Sequence, residues 1–547
     1  MSLDLEFASA DVFGLTPLAA RALTGRTEPL ALHVPQSAAT VPRPDTTLFD
    51  PPRRAELAEH LEVQLTARGA HVAVLESVRA LRVAGATCVI AGQQPGLFGG
   101  PLFNTFKALH VVRLARTLAL EWGTPVVPVL WNHADDHDIA EVHHAWFVND
   151  QHNLVKVGLP GASSGRTPCS HYSCSEERHQ LAALRSRVRD LCAAGIDPDL
   201  IAQAVPRDGE TLAAAWTRFH LEHFGHLGLV VLEPDWIRNS LSEALADIVA
   251  PHPLAALDAG SERLHAAGLD VAIDPKSAAL VYHLTGNLGD PPTSPPPERH
   301  ALRPGGDGWT FDHEEGSRTP SELAAEIVQD KAAYNAGALL RPIVQDLALP
   351  TAAYVGGLGE LAYHAQLGEL RTAVGLQPGV FVPRLSASPT DARLRTSLRH
   401  IKRTAAEFLA APQHDSAPAQ TLPPGQAERL DTAFQTYREL LMAEHDPLGA
   451  LDPGLAGQLR RVLSQSKKHL AALSERVRRI QASSSGSDRR HRRRLAAWMW
   501  PREAPPERIL TTSQVLSMWG TDWIDELLDQ LEPFPIEHHI AHIDPHG

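Results

Sequence analysis

Short apolar runs alternate with amphipathic segments through the first two thirds of the chain. Residues 87–91 and 125–131 are apolar, and the segment between them, at about 104–121, has the periodicity of an amphipathic helix. Further apolar runs lie at residues 227–232, 351–355 and 381–385. Continuous apolar strands that alternate with helices are typical of a parallel sheet covered on both faces. The pattern therefore predicts an α/β fold with a mostly parallel sheet.

Two regions interrupt this alternation and are interpreted as insertions. They lie near residues 150–225 and 275–330, and the second contains a proline-rich run at 290–297. Such a run can form neither a regular helix nor a central strand. The segment before residue 79 has helical patterning. We therefore expect one core over residues 1–385 that carries two inserted connecting regions.

The pattern changes after residue 385. Ser388, Pro389 and Asp391 have the order of a capped helix start. Apolar residues then recur by four and three, as in a coiled coil, at Leu394, Leu398, Ile401, Ala405, Phe408, Leu430, Phe434, Tyr437, Leu441, Leu451, Leu455, Leu459, Val462, Leu470, Leu473, Val477 and Ile480. The spacing predicts a long α-helical antiparallel coiled-coil arm over residues 386–500.

One narrow apolar seam can bury only one partner helix, so the arm is expected to form a homodimer. A local helical bundle is the alternative. The basic run at residues 489–494 favours a solvated helix face over a nucleic-acid contact. Residues 501–547 return to mixed helix and loop, and we expect this C-terminal segment to pack back on the core.

Length and charge narrow the class of protein. A chain of 547 residues suits two or three domains, and its net charge of −14 argues against general nucleic-acid binding. No apolar stretch is long enough for a membrane helix, and the acidic start lacks the features of a signal peptide. The four cysteines form no CxxC pair. We therefore expect a cytoplasmic protein with reduced thiols and no membrane partner.

A glycine-rich turn follows the first predicted strand and opens the first long helix. Gly96, Gly99 and Gly100 allow close backbone approach, and polar side chains surround them at Gln93, Asn104 and Lys107. A strand, a glycine turn and a helix together can present backbone N–H groups to an anion. The turn matches neither a Walker A loop nor a GxGxxG fingerprint. A tight βα turn without a ligand is the alternative.

A dense polar cluster follows the second predicted strand. His133, Asp136 and His137 are the candidate catalytic residues, because imidazoles and carboxylates can act as general acids and bases. The wider cluster also includes Asp135, Asp138, Glu141, His143 and His144, a density at which a divalent metal can bind. Surface or capping roles are the alternative for any single histidine. Ligands bind at the carboxyl ends of parallel strands, so this cluster and the glycine turn are expected side by side.

A third motif again joins a strand to a helix through glycines. It contains Tyr354, Gly356, Gly359 and Glu360. A glutamate in a first helical turn often only offsets the helix dipole. Two arginines are candidate partners for a carboxylate or phosphate, namely Arg341 and Arg384.

Taken together, these motifs resemble the bacillithiol-biosynthesis cysteine-adding enzymes (BshC). The resemblance is carried by residues 92–107, 131–141, 340–346, 354–363 and 383–386, and extends more loosely over nearly the full chain. It implies a Rossmann-like core similar to class I aminoacyl-tRNA synthetases and nucleotidyltransferases, inserted connecting regions and a dimerising coiled-coil arm. Residues 274–282 lack the Asn-Leu-Phe expected there, which affects fine substrate contacts more than the reaction.

The resemblance also implies a reaction. The family is assigned the last step of bacillithiol synthesis, in which the carboxyl of L-cysteine is joined to the amine of glucosaminyl-malate. His133, His137 or Asp136 could deprotonate that amine, while the glycine turn and Arg341 or Arg384 hold anionic groups. The activating cosubstrate is unknown; an ATP- or ADP-type nucleotide has no supporting motif, and no metal is required.

Two other classes of function stay open. A metal-dependent hydrolase or deacetylase would use the cluster at residues 133–141. A non-catalytic dimeric scaffold would keep a degenerate site, although the intact glycine turns and the polar cluster argue against it.

Overall fold

A computed structural model describes residues 2–159, 165–174, 178–191, 197–289, 295–305, 308–412, 426–482 and 486–544. The chain divides into two compact units. The main unit comprises Met1–Ala392 and Pro501–Gly547, and the helical unit comprises Arg393–Trp500. Parts of the proline-rich runs at 290–297 and 411–425 lie outside the described residues, as does Cys192.

The strands are numbered in chain order. They are β1 Ser2–Ala8, β2 Leu32–His33, β3 Thr87–Gln93, β4 Val126–Asn132, β5 His144–Val148, β6 Leu154–Gly158, β7 Val230–Leu232, β8 Val281–Thr285, β9 Glu298–Gly305, β10 Gly308–Phe311, β11 Ser317–Arg318, β12 Tyr334–Ala336, β13 Thr351–Gly356, β14 Gly379–Pro383, β15 Ala387–Asp391 and β16 His538–Asp544.

The α-helices are numbered in the same way. They are α1 Pro17–Leu23, α2 Pro51–Ala67, α3 Val72–Ala80, α4 Phe103–Trp122, α5 Ile139–Val142, α6 Arg178–Leu191, α7 Pro198–Gln203, α8 Leu212–Phe224, α9 Arg238–Val249, α10 Leu254–Ala266, α11 Pro320–Gln329, α12 Arg341–Ala348, α13 Leu358–His364, α14 Gly368–Ala373, α15 Ala392–His400, α16 Ala405–Ala410, α17 Gln426–Ala443, α18 His445–Leu451, α19 Pro453–Ala482, α20 Gly486–Met499, α21 Pro506–Ile509, α22 Thr512–Trp519 and α23 Asp522–Gln530.

A six-stranded sheet forms the centre of the main unit. Its strand order is β2-β14-β13-β3-β4-β7, and every neighbouring pair is parallel. The central strands β3 and β4 are apolar along almost their whole length because both of their faces are buried. This sheet confirms the predicted α/β, Rossmann-like core.

The connections of this sheet reverse direction beside β3. From β3 the chain moves through α4 to β4 and then β7, whereas β13 and β14 lie on the other side of β3. Helix α4 is mostly buried and ends at Gly123, whose left-handed backbone (φ 66°) closes it. Ligands of open α/β sheets bind at the carboxyl edge where the strand order reverses. The fold therefore locates the candidate site beyond the ends of β3 and β4.

The second predicted insertion forms a sheet of its own. Its strand order is β11-β10-β9-β8-β12, and every pair is antiparallel. The first insertion contains the β5–β6 hairpin and helices α6 to α8. Both insertions belong to the main unit.

The helix start predicted at Ser388 and Pro389 was wrong, because these residues lie in strand β15. The helical patterning expected before residue 79 is confirmed in α2 and α3, and residues Ser2–Ala8 form strand β1. Strand β16 pairs with both β1 and β15. The hydroxyl of Ser388 lies 2.9 Å from Nε2 of His538, so it bonds a neighbouring strand and does not cap a helix.

The helical unit contains α16 to α20 and all of α15 except its first residue. Helices α17 and α19 pack against each other, with the short α18 at the turn between them, so they form an antiparallel pair. The continuous helix expected from Leu394 to Phe408 was wrong, because α15 ends at His400 and Thr404 caps the new helix α16. In the part of the chain that the structure describes, no helix is long and apolar enough to cross a membrane.

Candidate active site

A cleft of about 230 Å³ lies between the carboxyl edge of the parallel sheet and the inserted antiparallel sheet. The residues that follow β4 form one wall, and side chains of β8, β9 and β12 form the opposite wall. Among its lining residues are Trp131, His133, Asp135, Asp136, Arg238, Tyr282, Arg299, Asn335, Arg341 and Tyr363. Of the predicted site residues, the structure brings His133, Asp136 and Arg341 into this one cleft.

His133 lies directly against the end of strand β3. Its backbone N–H donates to the carbonyl of Gln93 at 2.8 Å, which continues the β3–β4 pairing by one residue. A Cβ atom at Gly92 would lie 2.3 Å from Nε2 of His133, so only glycine leaves room for this imidazole. Nε2 is buried and has no hydrogen-bond partner among the described residues. This nitrogen thus keeps an unused hydrogen-bonding position beside the end of β3.

The environment of His133 keeps its imidazole neutral. Burial and the nearby cations Arg341 and Lys107 hold the pKa of His133 well below its usual value of 6.5. At neutral pH the ring can thus accept a proton. It is, however, a weak base for as long as the positive charges beside it are not neutralised.

Arg341 opens helix α12 at the side of the cleft. Its guanidinium donates to Oε1 of Gln345 at 3.2 Å and to the hydroxyl of Tyr363 at 3.4 Å, and it lies over the ring of Tyr354. Within the described ranges, no carboxylate forms an ion pair with it. Buried guanidinium groups normally pair with an anion. Arg341 is therefore the strongest candidate for binding a carboxylate of a ligand.

Arg299 lies on strand β9 of the inserted sheet and lines the same cleft as Arg341. Its side chain is 7% exposed, donates to Oδ1 of Asn335 at 3.0 Å, and lies 3.5 Å from the centre of the Tyr282 ring. It also lies 3.1 Å from Nδ1 of His137. The sequence did not point to Arg299, because this residue lies in an inserted strand with no local motif.

His137 lies at the rim of the cleft and does not line it. Its ring is held by Arg299 and by an edge contact with Tyr282. Burial and the charge of Arg299 lower the pKa of His137. Asp136 accepts from the backbone N–H of His137 at 2.8 Å and from the side-chain amide of Gln94, so this carboxylate orders the loop.

The acidic side chains after β4 do not converge on a common point. Asp135 is held by two hydrogen bonds from the guanidinium of Arg238. Among the described residues, the three side chains with metal-ligand atoms close together are His300, Asp312 and His313 on the inserted sheet. The geometry therefore gives no support to a metal-dependent hydrolase site within residues 133–144.

Lys107, Glu360 and Tyr354 form a buried network under the site. The ammonium of Lys107 donates to the carbonyl of Gly92 at 2.7 Å and to Oε1 of Gln93 at 3.1 Å, and it pairs with Glu360 at 2.6 Å. Tyr354 accepts from the backbone N–H of Gly92 and donates to Glu360 at 2.7 Å. These groups therefore hold the end of β3 in place, and the structure does not bring Lys107 to the cleft.

The charges in this network have shifted pKa values. Burial lowers the pKa of Lys107, and its ion pair with Glu360 offsets only part of that effect. Burial raises the pKa of Glu360, but Lys107 and three hydrogen bonds to the carboxylate outweigh it, so the net shift is downward. The two side chains form an internal ion pair.

The glycine turn after β3 is used for packing. Gly99 has a left-handed backbone (φ 81°), and a Cβ atom there would lie 2.2 Å from the ring of Phe219. Asn104 donates to the carbonyl of Gly99 at 3.1 Å, and the carbonyl of Gly100 accepts from the backbone of Thr512. A Cβ atom at Gly96 would lie 2.7 Å from the backbone of Gly100. The turn thus binds the C-terminal segment of the main unit.

The remaining predicted residues lie outside the cleft. Arg384 pairs with Glu507 at 2.5 Å and donates to the carbonyl of Leu385. A Cβ atom at Gly356 would lie 2.6 Å from the ring of Phe381. Gly359 lies in the first turn of α13.

The sheet, the cleft at its carboxyl edge and the separate helical unit define a Rossmann-like enzyme with a coiled-coil domain. Residues 39–385 match the family model for the BshC N-terminal Rossmann-like domain of bacillithiol biosynthesis, and residues 391–543 match the BshC C-terminal coiled-coil domain. The chain belongs to the bacillithiol biosynthesis BshC family. The coiled-coil match includes residues 501–543, which fold with the main unit.

Relatives of similar length support this membership. A protein of Koribacter versatilis is 28% identical over 507 residues, which cover 90% of this chain and 91% of the relative. A protein of Geobacillus thermodenitrificans is 27% identical over 504 residues, which cover 90% of each chain. One of Symbiobacterium thermophilum is 28% identical over 525 residues, or 89% of each chain. All three carry the name "Putative cysteine ligase BshC", and the chain is accordingly an enzyme of the ligase class.

Proposed function

We propose that this enzyme joins the carboxyl group of L-cysteine to the free amine of glucosaminyl-malate in the last step of bacillithiol synthesis. The observation that carries the proposal is Arg341, a partly buried guanidinium without an ion-pair partner among the described residues, beside the neutral imidazole of His133. An anion-binding group beside a base suits a substrate that contains both a malate and an amine. Family membership supports the reaction type.

In this proposal His133 is the general base. Amide formation requires a neutral amine that attacks an activated cysteine carboxyl carbon, and the amine loses one proton as the C–N bond forms. His133 lines the cleft, and its buried Nε2, which has no hydrogen-bond partner among the described residues, is the atom that would take that proton. The leaving group departs from the activated carboxyl, so atoms and charge balance.

The arginines link substrate binding to the strength of this base. Arg341 and Arg299 both lower the pKa of His133. A malate carboxylate bound to Arg341 would neutralise part of this positive field, so the pKa of His133 would rise when the substrate binds. The base is then strongest when the amine it serves is present.

The proposed reaction requires a cosubstrate that activates the carboxyl group of cysteine. An ATP-type nucleotide is the first candidate to test. Purified protein is incubated with cysteine and glucosaminyl-malate, with and without ATP and a divalent metal, and the cysteinyl amide is sought by mass spectrometry. Product that depends on ATP identifies an adenylating or phosphorylating ligase. Product without ATP identifies a different or copurified donor, and no product under any condition contradicts the proposal.

We also infer that a second copy of the chain covers the helical unit. Several apolar side chains on α17 to α19 are strongly exposed, at Leu440 (69%), Leu451 (80%), Val462 (44%) and Leu473 (45%). Apolar side chains on coiled-coil helices that the described residues of one chain leave uncovered are typical of a homodimer.

We further infer that the protein works in the cytoplasm. The described cysteines Cys88, Cys169 and Cys174 are buried and free, which fits a reducing compartment.

A further inference from the structure

The inserted antiparallel sheet carries a second set of polar side chains on the face that points away from the cleft. His283 and His300 lie opposite each other on β8 and β9. Neighbouring residues of a strand point to opposite faces, so these histidines lie behind Tyr282 and Arg299, which face the cleft. Asp312 and His313 follow directly after β10 and complete the set.

Three of these side chains have metal-ligand atoms close together. Nδ1 of His300 lies 3.6 Å from Oδ1 of Asp312, and Nδ1 of His313 lies 3.8 Å from the same oxygen. All three atoms lie within 4.8 Å of one another. The ligands of a tetrahedral zinc ion are about 3.3 Å apart, given bonds of ~2.0 Å. Small side-chain rotations would therefore be enough to close the site on one ion.

The other ring nitrogens are arranged as a metal site requires. Nε2 of His300 lies 3.1 Å from the hydroxyl of Thr285, and Nε2 of His313 lies 3.3 Å from Nδ1 of His283. Metal-binding histidines almost always use their second nitrogen in such a hydrogen bond, which fixes the ring and its tautomer. Nδ1 of His313 is buried and lacks a hydrogen-bond partner in the described residues, and this observation is what points to a ligand.

The guanidinium of Arg166 lies beside His300 and Asp312. The NH1 nitrogen of Arg166 lies 2.6 Å from Nδ1 of His300 and 3.2 Å from Oδ2 of Asp312. Because arginine can only donate, the lone pair of His300 Nδ1 points toward this guanidinium and is not engaged by a proton of its own ring. The side chain of Arg166 is 45% exposed, so it can move into solvent when an ion enters.

We propose that His300, Asp312 and His313 bind one divalent transition-metal ion of the zinc class, in competition with Arg166. Two imidazoles and a carboxylate are ligands that suit Zn²⁺, and water completes the fourth position. The ion ties β9 to the segment after β10, and so fixes the strand whose other face presents Arg299 to the cleft. It is a structural ion, and the proposal does not depend on which reaction the cleft performs.

The test measures Zn²⁺ binding to the full chain by competition with a chromophoric chelator, with Co²⁺ absorption as a second readout. The wild type is expected to bind one Zn²⁺ per chain. His313→Ala and the near-isosteric Asp312→Asn each lower the affinity by more than about tenfold. Arg166→Gln raises it, because the competing cation is gone. His265→Ala removes an exposed histidine from α10 and leaves the affinity unchanged.

Two results would overturn the proposal. One is that neither the wild type nor Arg166→Gln binds Zn²⁺ or Co²⁺ stoichiometrically. The other is that Asp312→Asn and His313→Ala bind as tightly as the wild type. Cooperative thermal unfolding of each variant separates a lost site from a lost fold. Zn²⁺ should raise the melting temperature of the wild type, Arg166→Gln and His265→Ala, and much less that of Asp312→Asn and His313→Ala.

Discussion

At the scale of single residues, the cleft depends on charges that are only partly compensated. Arg238 is matched by Asp135, and Lys107 is matched by Glu360. Arg341 has only neutral hydrogen-bond partners among the described residues. Since a partly buried cation without an ion pair is costly, we infer that Arg341 binds an anionic group of the substrate beside His133. Arg238 and Lys107, which have ion-pair partners, therefore stabilise the structure of the site, whereas Arg341 is the candidate for contact with the ligand.

Replacement of Arg341 by methionine tests its role in binding. We expect KM for glucosaminyl-malate to rise by about 10- to 100-fold, because a hydrogen bond to a charged group contributes ~1.5–3 kcal/mol. Arg341→Lys should give an intermediate value, since it keeps the charge and loses the fork geometry. Steady-state kinetics measure both, and Arg116→Met on the exposed face of α4 is the control. An unchanged KM in Arg341→Met would contradict the assignment.

The pKa of His133 provides a second test at this scale. In the free protein it lies well below 6.5, so the imidazole stays neutral as the pH falls through 6.5. Malate should raise this pKa by neutralising Arg341, and Arg341→Met should raise it without malate. Histidine hydrogen–deuterium exchange followed by mass spectrometry reports the pKa of each histidine. A His133 pKa near 6.5 that malate does not change would refute this electrostatic account.

At the scale of secondary-structure elements, the sequence predicted the strands and helices whose hydrophobic pattern lies within one contiguous segment. The apolar runs at β3 and β4 and the periodicity of α4 are contiguous, and each matched the structure to within a few residues. Strand β15 was missed because Ser388 and Pro389 form a local helix-start pattern, and only the distant strand β16 shows otherwise. Arg299 was missed for the same reason, since its role arises from the pairing of an inserted sheet with the core.

The glycine turn after β3 has a packing role, and its expected role in anion binding stays a prediction. Its glycines and amide side chains suggest an anion site, and Gly99 lies against Phe219. We expect Gly99→Ala to lower the free energy of unfolding by roughly 1–3 kcal/mol, because its Cβ overlaps that ring. Gly123→Ala is the matched control, with a similar left-handed backbone but open space around it, and should cost about 1 kcal/mol. Chemical denaturation measures both values.

If the turn instead binds an anionic substrate, the pattern of effects changes. Gly99→Ala would then raise KM strongly while its stability stayed close to that of Gly123→Ala. That result would make the turn a substrate-binding element again.

At the scale of the whole molecule, the main unit and the helical unit have different surfaces. The main unit buries a continuous core, whereas α17 and α19 leave leucines and valines at coiled-coil spacing exposed. In α19, Leu463 and Val477 are buried, but Val462 and Leu473 are not. The apolar side of α19 is therefore only partly covered by the described residues of one chain.

A charge on the uncovered face should separate the proposed dimer. We expect the double variant Leu440→Glu and Leu473→Glu to be monomeric, because burying these carboxylates against apolar partners is unfavourable. Light scattering after size-exclusion chromatography gives the mass, and Val63→Glu on α2, with 60% exposure, is the control. A monomeric wild type, or a double variant that keeps the dimer mass, would contradict the inference.

The central claim is that His133 in this cleft serves amide-bond formation, and one measurement tests it most directly. Product formation from cysteine and glucosaminyl-malate is followed by mass spectrometry for the wild type, His133→Gln and His137→Gln, each under the condition in which the wild type is active. The account predicts that His133→Gln falls by at least about 100-fold, as for loss of a general base, while its fold and KM persist. Near wild-type turnover in a folded His133→Gln variant would contradict it.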